Sequence, residues 1–132
     1  MSTDAGTALQ SYLDALVAGD LDAIAASFAE DATWTLYAGS PLGGPKHGRD
    51  AIMAFLTGGA GMFRPGSQSF EFGDVTVQDD RAVLEWRVEG IGAATGRPYR
   101  NSYCGVFVLR DGLIVEVREY TDSAPIQDAL FG

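Results

Sequence analysis

Two alternating apolar runs, Tyr99 to Leu109 and Leu113 to Thr121, joined by Arg110, Asp111 and Gly112, constrain this chain more than any other stretch. An Asp-Gly pair between such runs is the strongest short-range hairpin signal, because a tight hairpin turn needs residues that tolerate positive φ. Side chains alternate across a strand, so Val115, Val117, Glu119 and Thr121 share one face of the second strand, and Glu116, Arg118 and Tyr120 share the other. Glu119 therefore stands on the more apolar face. If that face is the interior, the carboxylate must be paired or keep its proton, and such groups serve as general acids and bases. If the Glu116 face is the packed one, Glu119 sits in water. The strand alone leaves both placements open.

At 132 residues the chain reads as a single domain spanning 1–132, long enough to bury about two thirds of its unfolded surface and to enclose a modest cavity. Its net charge of -9, from 9 basic and 18 acidic residues, repels phosphate backbones and anionic headgroups, so neither nucleic acid nor a membrane is an expected partner. A neutral or weakly polar small molecule fits better. One cysteine, Cys104, precludes an internal disulfide or a cysteine metal cluster, and its mid-strand position reads as packing. The single histidine, His47, provides no histidine pair for a metal and no serine triad. No metal and no organic cofactor are expected. Met1 to Thr7 lack a basic segment followed by an apolar one, and no run approaches the roughly 18 apolar residues of a membrane span, so a cytoplasmic protein is expected.

Along the chain, Leu9, Tyr12, Leu13, Leu16 and Val17 recur at helical spacing within Ala8 to Ala18, and Gly19 ends that helix. Asp20 caps a second helix over Leu21 to Phe28. Thr33 to Tyr37 reads as a short strand, and Gly39 to Gly48, with four glycines and two prolines, as a loop. A third helix runs from Asp50 to Leu56, presenting Ile52, Phe55 and Leu56, and Gly58, Gly59 and Gly61 end it in a flexible stretch of the kind that covers a site. Strands Ser69 to Val77 and Ala82 to Ile91 flank a polar turn and lead into the hairpin. Helices first and a strand meander second make an α+β layout, with the helices on one face of the sheet.

The strand Ala82 to Ile91 splits into Leu84, Trp86 and Val88 on one face and Glu85, Arg87 and Glu89 on the other. Pattern alone puts the apolar trio in the core and the charged trio in water. If a second subunit covers the sheet, Trp86 packs at the dimer interface. Arg87 then points inward and bridges Glu89 and Glu119, because a guanidinium can hold two carboxylates at once.

The segments "AGDLDAIAASFAEDATW", "HGRDAI" and "CGVFVLRDGLIVEVREYTD" resemble the nuclear-transport-factor-2-like superfamily, which includes ketosteroid isomerases, SnoaL-like polyketide cyclases and limonene-1,2-epoxide hydrolases. The resemblance runs from about Ala8 to Asp122. It implies a cone-shaped curved antiparallel sheet wrapped on three N-terminal helices, an α+β barrel around a deep apolar pocket, dimeric through the outer sheet face. The second half is most similar to the epoxide hydrolases, whose Asp-Arg-Asp relay would become Glu89, Arg87 and Glu119. Where that family holds its water with Tyr and Asn, this chain has Trp34 and Leu36. In the first half Tyr12 falls on the oxyanion-binding tyrosine of the ketosteroid isomerases, whose base falls on Leu36 and whose second acid falls on Gly105. The expected function is cofactor-independent acid/base chemistry on a small apolar substrate, by epoxide hydrolysis or by isomerisation or cyclisation. Glu119, Arg87 and Glu89 are the expected catalytic residues, and Tyr12, Trp34, Leu36, Phe55, Asn101 and Tyr103 the expected ligand contacts. A non-catalytic binding module of the same fold is the competing expectation.

Overall fold

The computed structural model describes residues 4–132, so the reading of the opening segment Met1 to Thr7 falls partly outside the described residues. Helix α1 (Ala5–Ala18) begins where the Asp4 carboxylate accepts the Thr7 backbone N–H at 2.8 Å, and stops at Gly19, whose φ of 67° only glycine adopts freely. Asp20 caps α2 (Leu21–Ala26) in the same way. This helix is shorter than its apolar spacing suggested, because the chain turns at Ser27 and Phe28 already opens strand β1 (Phe28–Tyr37).

Strand β2 (Gly44–His47) lies inside the stretch read as a loop. It pairs antiparallel with β1, Trp34 opposite Lys46 and Thr35 opposite Pro45. Pro45 fits because β2 is an edge strand, where a missing N–H leaves no ladder bond unmade. Helix α3 (Arg49–Ala60) likewise runs past Leu56 and takes Gly58 and Gly59 into its last turn, with Gly61 at its end. The expected flexible stretch is thus partly helix, held by Ile52 and by the half-buried Met53, Phe55 and Leu56 against the core.

Strands β3 (Ser69–Gln78), β4 (Arg81–Ile91), β5 (Pro98–Arg110) and β6 (Leu113–Thr121) form the meander. Asp111 and Gly112 take φ of 52° and 79°, the turn the Asp-Gly pair demanded. The sheet order is β2-β1-β6-β5-β4-β3. Every neighbouring pair is antiparallel except β1 and β6, which run parallel, so the sheet is mixed at that seam. The result is the expected α+β architecture, a curved six-stranded sheet with the N-terminal helices on its inner face.

Inner-face positions include Leu84, Trp86 and Val88 on β4, Tyr99, Asn101, Phe107 and Leu109 on β5, and Val117 and Glu119 on β6. After β6 the chain adds α4 (Ser123–Pro125) and a π-helical run over Ile126–Phe131, for which the sequence offered no expectation. Ile126, Ala129 and Leu130 are buried against the cone. Among the described residues no helix is long and apolar enough to cross a membrane.

This last segment docks on Gly92. A Cβ there would lie 1.9 Å from the Ala129 carbonyl oxygen, a backbone atom held also by the Thr95 hydroxyl. Gly92→Ala is expected to displace the segment and cost about 2 kcal/mol or more, as burial of Ile126 and Leu130 is lost. Urea denaturation measures this, and an unchanged midpoint would show that the segment yields without loss.

Candidate functional site

Helices and sheet enclose a cavity of about 340 Å³, at the lower end of the range of roughly 300 to 1,000 Å³ typical of small-molecule sites. Its walls are apolar: Leu36, Phe55, Phe72, Leu84, Val88 and Phe107 all face it, together with Ile126 and Leu130 from the C-terminal segment. Leu21 and Phe70 also line it while remaining 56% and 46% exposed, which places the mouth between the α1–α2 corner and β3. Gly59 and Ala60 at the end of α3 complete that rim.

Glu119 faces this cavity and is only 6% exposed. Strand β6 positions it between Leu36 on β1 and Gly105 on β5. Gly105 belongs there because a Cβ would meet the rings of Trp86 and Phe107 at 2.9 Å. Among the described residues the carboxylate has one hydrogen bond, from Trp34 Nε1–H to its Oε1 at 2.9 Å. Burial pushes its pKa from 4.5 to about 7, against the pull of the Trp34 bond and the positive charge of Lys46. That ammonium donates to the Leu42, Gly43 and Gly44 carbonyls and stands 4.7 Å above the Phe55 ring. Burial in turn lowers the Lys46 pKa, with Glu119 opposing.

Besides Thr57 and Gln68, the wall carries two phenols. Tyr12, nearly fully buried on α1, sits edge-on to Phe28 with ring centroids 5.4 Å apart. Burial and the neighbouring Glu119 charge push its phenol well above the ordinary range, so it stays protonated. Tyr103 stacks on Trp86 at 5.2 Å and hydrogen-bonds Tyr99 through the two hydroxyls; burial first, then Tyr99, raises its pKa too.

Of the residues singled out from the sequence, the cavity gathers Glu119, Tyr12, Trp34, Leu36, Phe55 and Tyr103. It does not gather Arg87 and Glu89. Both are exposed on the outer face of β4, where Glu89 pairs with Arg100 at 2.9 Å, so the expected Glu-Arg-Glu set is not assembled. The reason is that Trp86 turns inward, onto Tyr103, rather than outward to a dimer interface. Asn101 is buried on the inner face but is not on the cavity wall. Its Nδ2 donates to Tyr99 Oη and the Asp122 carbonyl, and its Oδ1 accepts the Ser102 N–H.

Against known proteins, the family model described as a SnoaL-like domain matches residues 9–117. The chain belongs to the SnoaL-like domain family. Similar solved structures include an NTF2-like protein from Burkholderia thailandensis E264, 22% identical with a TM-score of 0.87, covering 98% of this chain and 99% of that one. TerC co-crystallized with polyporic acid is 19% identical, with a TM-score of 0.81 over 96% of this chain and 97% of that one. A candidate isomerase from Bacillus subtilis is 26% identical, with a TM-score of 0.73 over 95% and 91% of the two chains. Among curated proteins, the uncharacterized protein YesE of Bacillus subtilis (strain 168) is 33% identical over 57 residues, 43% of this chain and 39% of that protein. The chain thus matches only about two fifths of that relative's length.

For this SnoaL-like domain, several wall residues escaped the sequence reading. Phe63, Ile126 and Leu130 reach the cavity from a loop and the C-terminal segment, where no periodicity marks an inner face, while Phe70 and Phe72 alternate with Ser69 and Glu71 on the edge strand β3. Trp86 and Phe107 did carry a signal, the apolar alternation of β4 and β5.

The Glu119 environment has a consequence for stability. Between pH 4.5 and about 7 the folded protein holds a proton that the unfolded chain releases, so stability falls as pH rises through that window. The displacement corresponds to about 3 kcal/mol. Glu119→Gln keeps an acceptor for Trp34 but cannot titrate. Relative to that variant, the wild type is expected to lose up to about 3 kcal/mol between about pH 5 and about pH 8. A difference that stays constant across that range would mean the carboxylate is solvated.

Proposed function

We propose that this SnoaL-like domain is a cofactor-independent enzyme that moves protons on a small, mostly apolar molecule, in an isomerisation or cyclisation. The reading is carried by one observation: a lone carboxylic acid, poised at about 7 by burial, opens onto an apolar cavity with a single indole N–H bonded to it. A group with that pKa is present in both forms near neutrality, the condition under which one residue can serve first as base and then as acid.

The chemistry balances without a co-reactant. Glu119 takes a proton from a carbon next to a carbonyl, the electron pair moves onto the carbonyl oxygen, and the same carboxylic acid returns the proton at another carbon. In a cyclisation the enolate carbon instead attacks a second carbonyl and Glu119 protonates the resulting alkoxide. Tyr12 stays protonated and can donate to the developing oxyanion in surroundings where such a bond is strong. The apolar walls keep water from competing. The 26% identity to a candidate isomerase supports the same reading. Epoxide hydrolysis by the relay retains only Glu119, since Arg87 and Glu89 stand outside the cone.

The second reading is a binding module, favoured by how few polar groups line the cavity. We further propose a homodimer through the outer sheet face, where Val83, Val106 and Val108 are half-buried and Tyr37 stacks on Tyr120 at 4.8 Å. Mass in solution tests that part.

A nitrobenzisoxazole tests the chemistry, because it opens to a coloured phenolate once any base removes its carbon-bound proton. The wild type is expected to accelerate the opening, with a rate that rises through about pH 7 and levels off. Glu119→Gln is expected to lower it about 100-fold or more. Trp34→Phe, which removes the bond that favours the carboxylate form, is expected to shift the inflection upward. A rate indifferent to Glu119→Gln would leave only the binding module.

A further inference from the structure

The inner face of β5 carries a hydrogen-bonded row that the proton-transfer reading leaves unused: Asn101, Tyr99 and Tyr103. Its direction can be worked out from the backbone. Asn101 Oδ1 accepts the Ser102 N–H at 3.0 Å, and Nδ2 faces the Asp122 carbonyl at 2.8 Å. An N–H can only donate and a carbonyl only accept, so the amide orientation is set, and its second N–H goes to Tyr99 Oη at 2.9 Å.

Tyr99 is nearly fully buried, and its hydroxyl proton needs an acceptor. The hydrogen bonds of the described residues offer one, Tyr103 Oη. Were Tyr103 the donor instead, Tyr99 would accept twice, from Asn101 and Tyr103, and its own proton would be buried with no acceptor among the described residues, at the desolvation cost of an unmade bond. The row therefore runs Asn101 to Tyr99 to Tyr103, and the last proton is left to the neighbouring Thr121 oxygen or to the cavity that Tyr103 lines. Thr121, across from Tyr103 on β6, gives its own proton to the Ser102 carbonyl at 2.8 Å. Its oxygen is a neutral acceptor, which a charged ligand oxygen outcompetes.

We propose that Tyr103 is the donor that receives a ligand's oxyanion, with Tyr99 and Asn101 as positioning residues, so that the cavity selects apolar molecules bearing an acidic enol or phenol oxygen. Each accepted hydrogen bond polarises the next donor, so Tyr103 is a stronger donor than an isolated phenol. Gly105, two residues on, stands opposite Glu119, which puts Tyr103 and Glu119 diagonally across the β5–β6 pair on one face. A molecule bound through its oxygen at Tyr103 thus presents its neighbouring carbons toward Glu119. This inference rests on the cavity being a ligand site, though not on turnover.

The experiment reads binding alone. A hydroxycoumarin, whose phenol and phenolate absorb differently, is titrated into the Glu119→Gln protein, where no carboxylate repels the anion. It is expected to bind as the phenolate. Adding Tyr103→Phe, which keeps the ring on Trp86, is expected to weaken phenolate binding about tenfold or more and return the spectrum to the phenol form. Tyr99→Phe is expected to weaken it severalfold, because the row loses its link. The methyl ether of the same probe, which has no oxyanion, is expected to bind all three proteins alike. The proposal is overturned if the phenolate does not bind, if Tyr103→Phe leaves it unchanged, or if the methyl ether loses as much. It is overturned as well if Tyr99→Phe tightens the phenolate, for then Tyr103 had been giving its proton to Tyr99. Phenolate binding that follows this pattern, beside a wild type without proton transfer, would uphold the inference and remove only the enzymatic reading.

Discussion

A carboxylate taken out of water and given a single indole N–H is the constraint on which this structure turns. Removing an ionised group from water costs far more than one hydrogen bond returns, so the protein eases the imbalance by holding the proton up to about pH 7. Everything around Glu119 keeps it in that position. Gly105 leaves space for Trp86 and Phe107 to close over it, and Lys46 is turned to the carbonyls of its own loop rather than onto the acid. A direct ion pair there would have pulled the acid down to an ordinary value and made it a structural group.

The wall shows the same economy of polar contact. Tyr12, Trp34, Tyr103 and Glu119 come from four different elements, α1, β1, β5 and β6, and each brings one polar group to a wall that is apolar save for Thr57 and Gln68. Burial keeps both phenols protonated, so the cavity offers donors around one titrating acid. Such a set can recognise an oxygen and move a proton beside it; among the described residues there is no cluster of three or more metal-ligating side chains.

Much of this was legible in the residues. The Asp-Gly turn announced the hairpin, helix spacing and Gly19 announced α1, and Val117 beside Glu119 announced an acid on an apolar face. The alternation of β4 also pointed the right way, toward Leu84, Trp86 and Val88 as core. The bridged-acid arrangement failed because it needed the opposite face of that strand to turn inward against its own hydrophobic pattern, and Trp86 has no comparable home outside. Strand β2 was hidden because Gly44 and Pro45 carry loop chemistry, which an edge strand tolerates. The C-terminal wall was hidden because its burial depends on Gly92 and Thr95, contacts no local pattern encodes.

Among the described residues the seam between β1 and β6 is the one parallel pairing in the sheet, and it joins segments far apart along the chain. Trp34 and Glu119 are 85 residues apart and meet only across that seam. Pairings of such long range carry the largest loop-closure entropy, so they are slow to form and of little use until nearby hairpins are in place. The proton-holding acid therefore comes into being with a long-range pairing of the sheet. A chain arrested before that step, with its hairpin complete and its helices formed, would carry an ordinary solvated glutamate with no indole beside it, so the acid's unusual proton affinity is a property of the finished sheet and of no smaller piece.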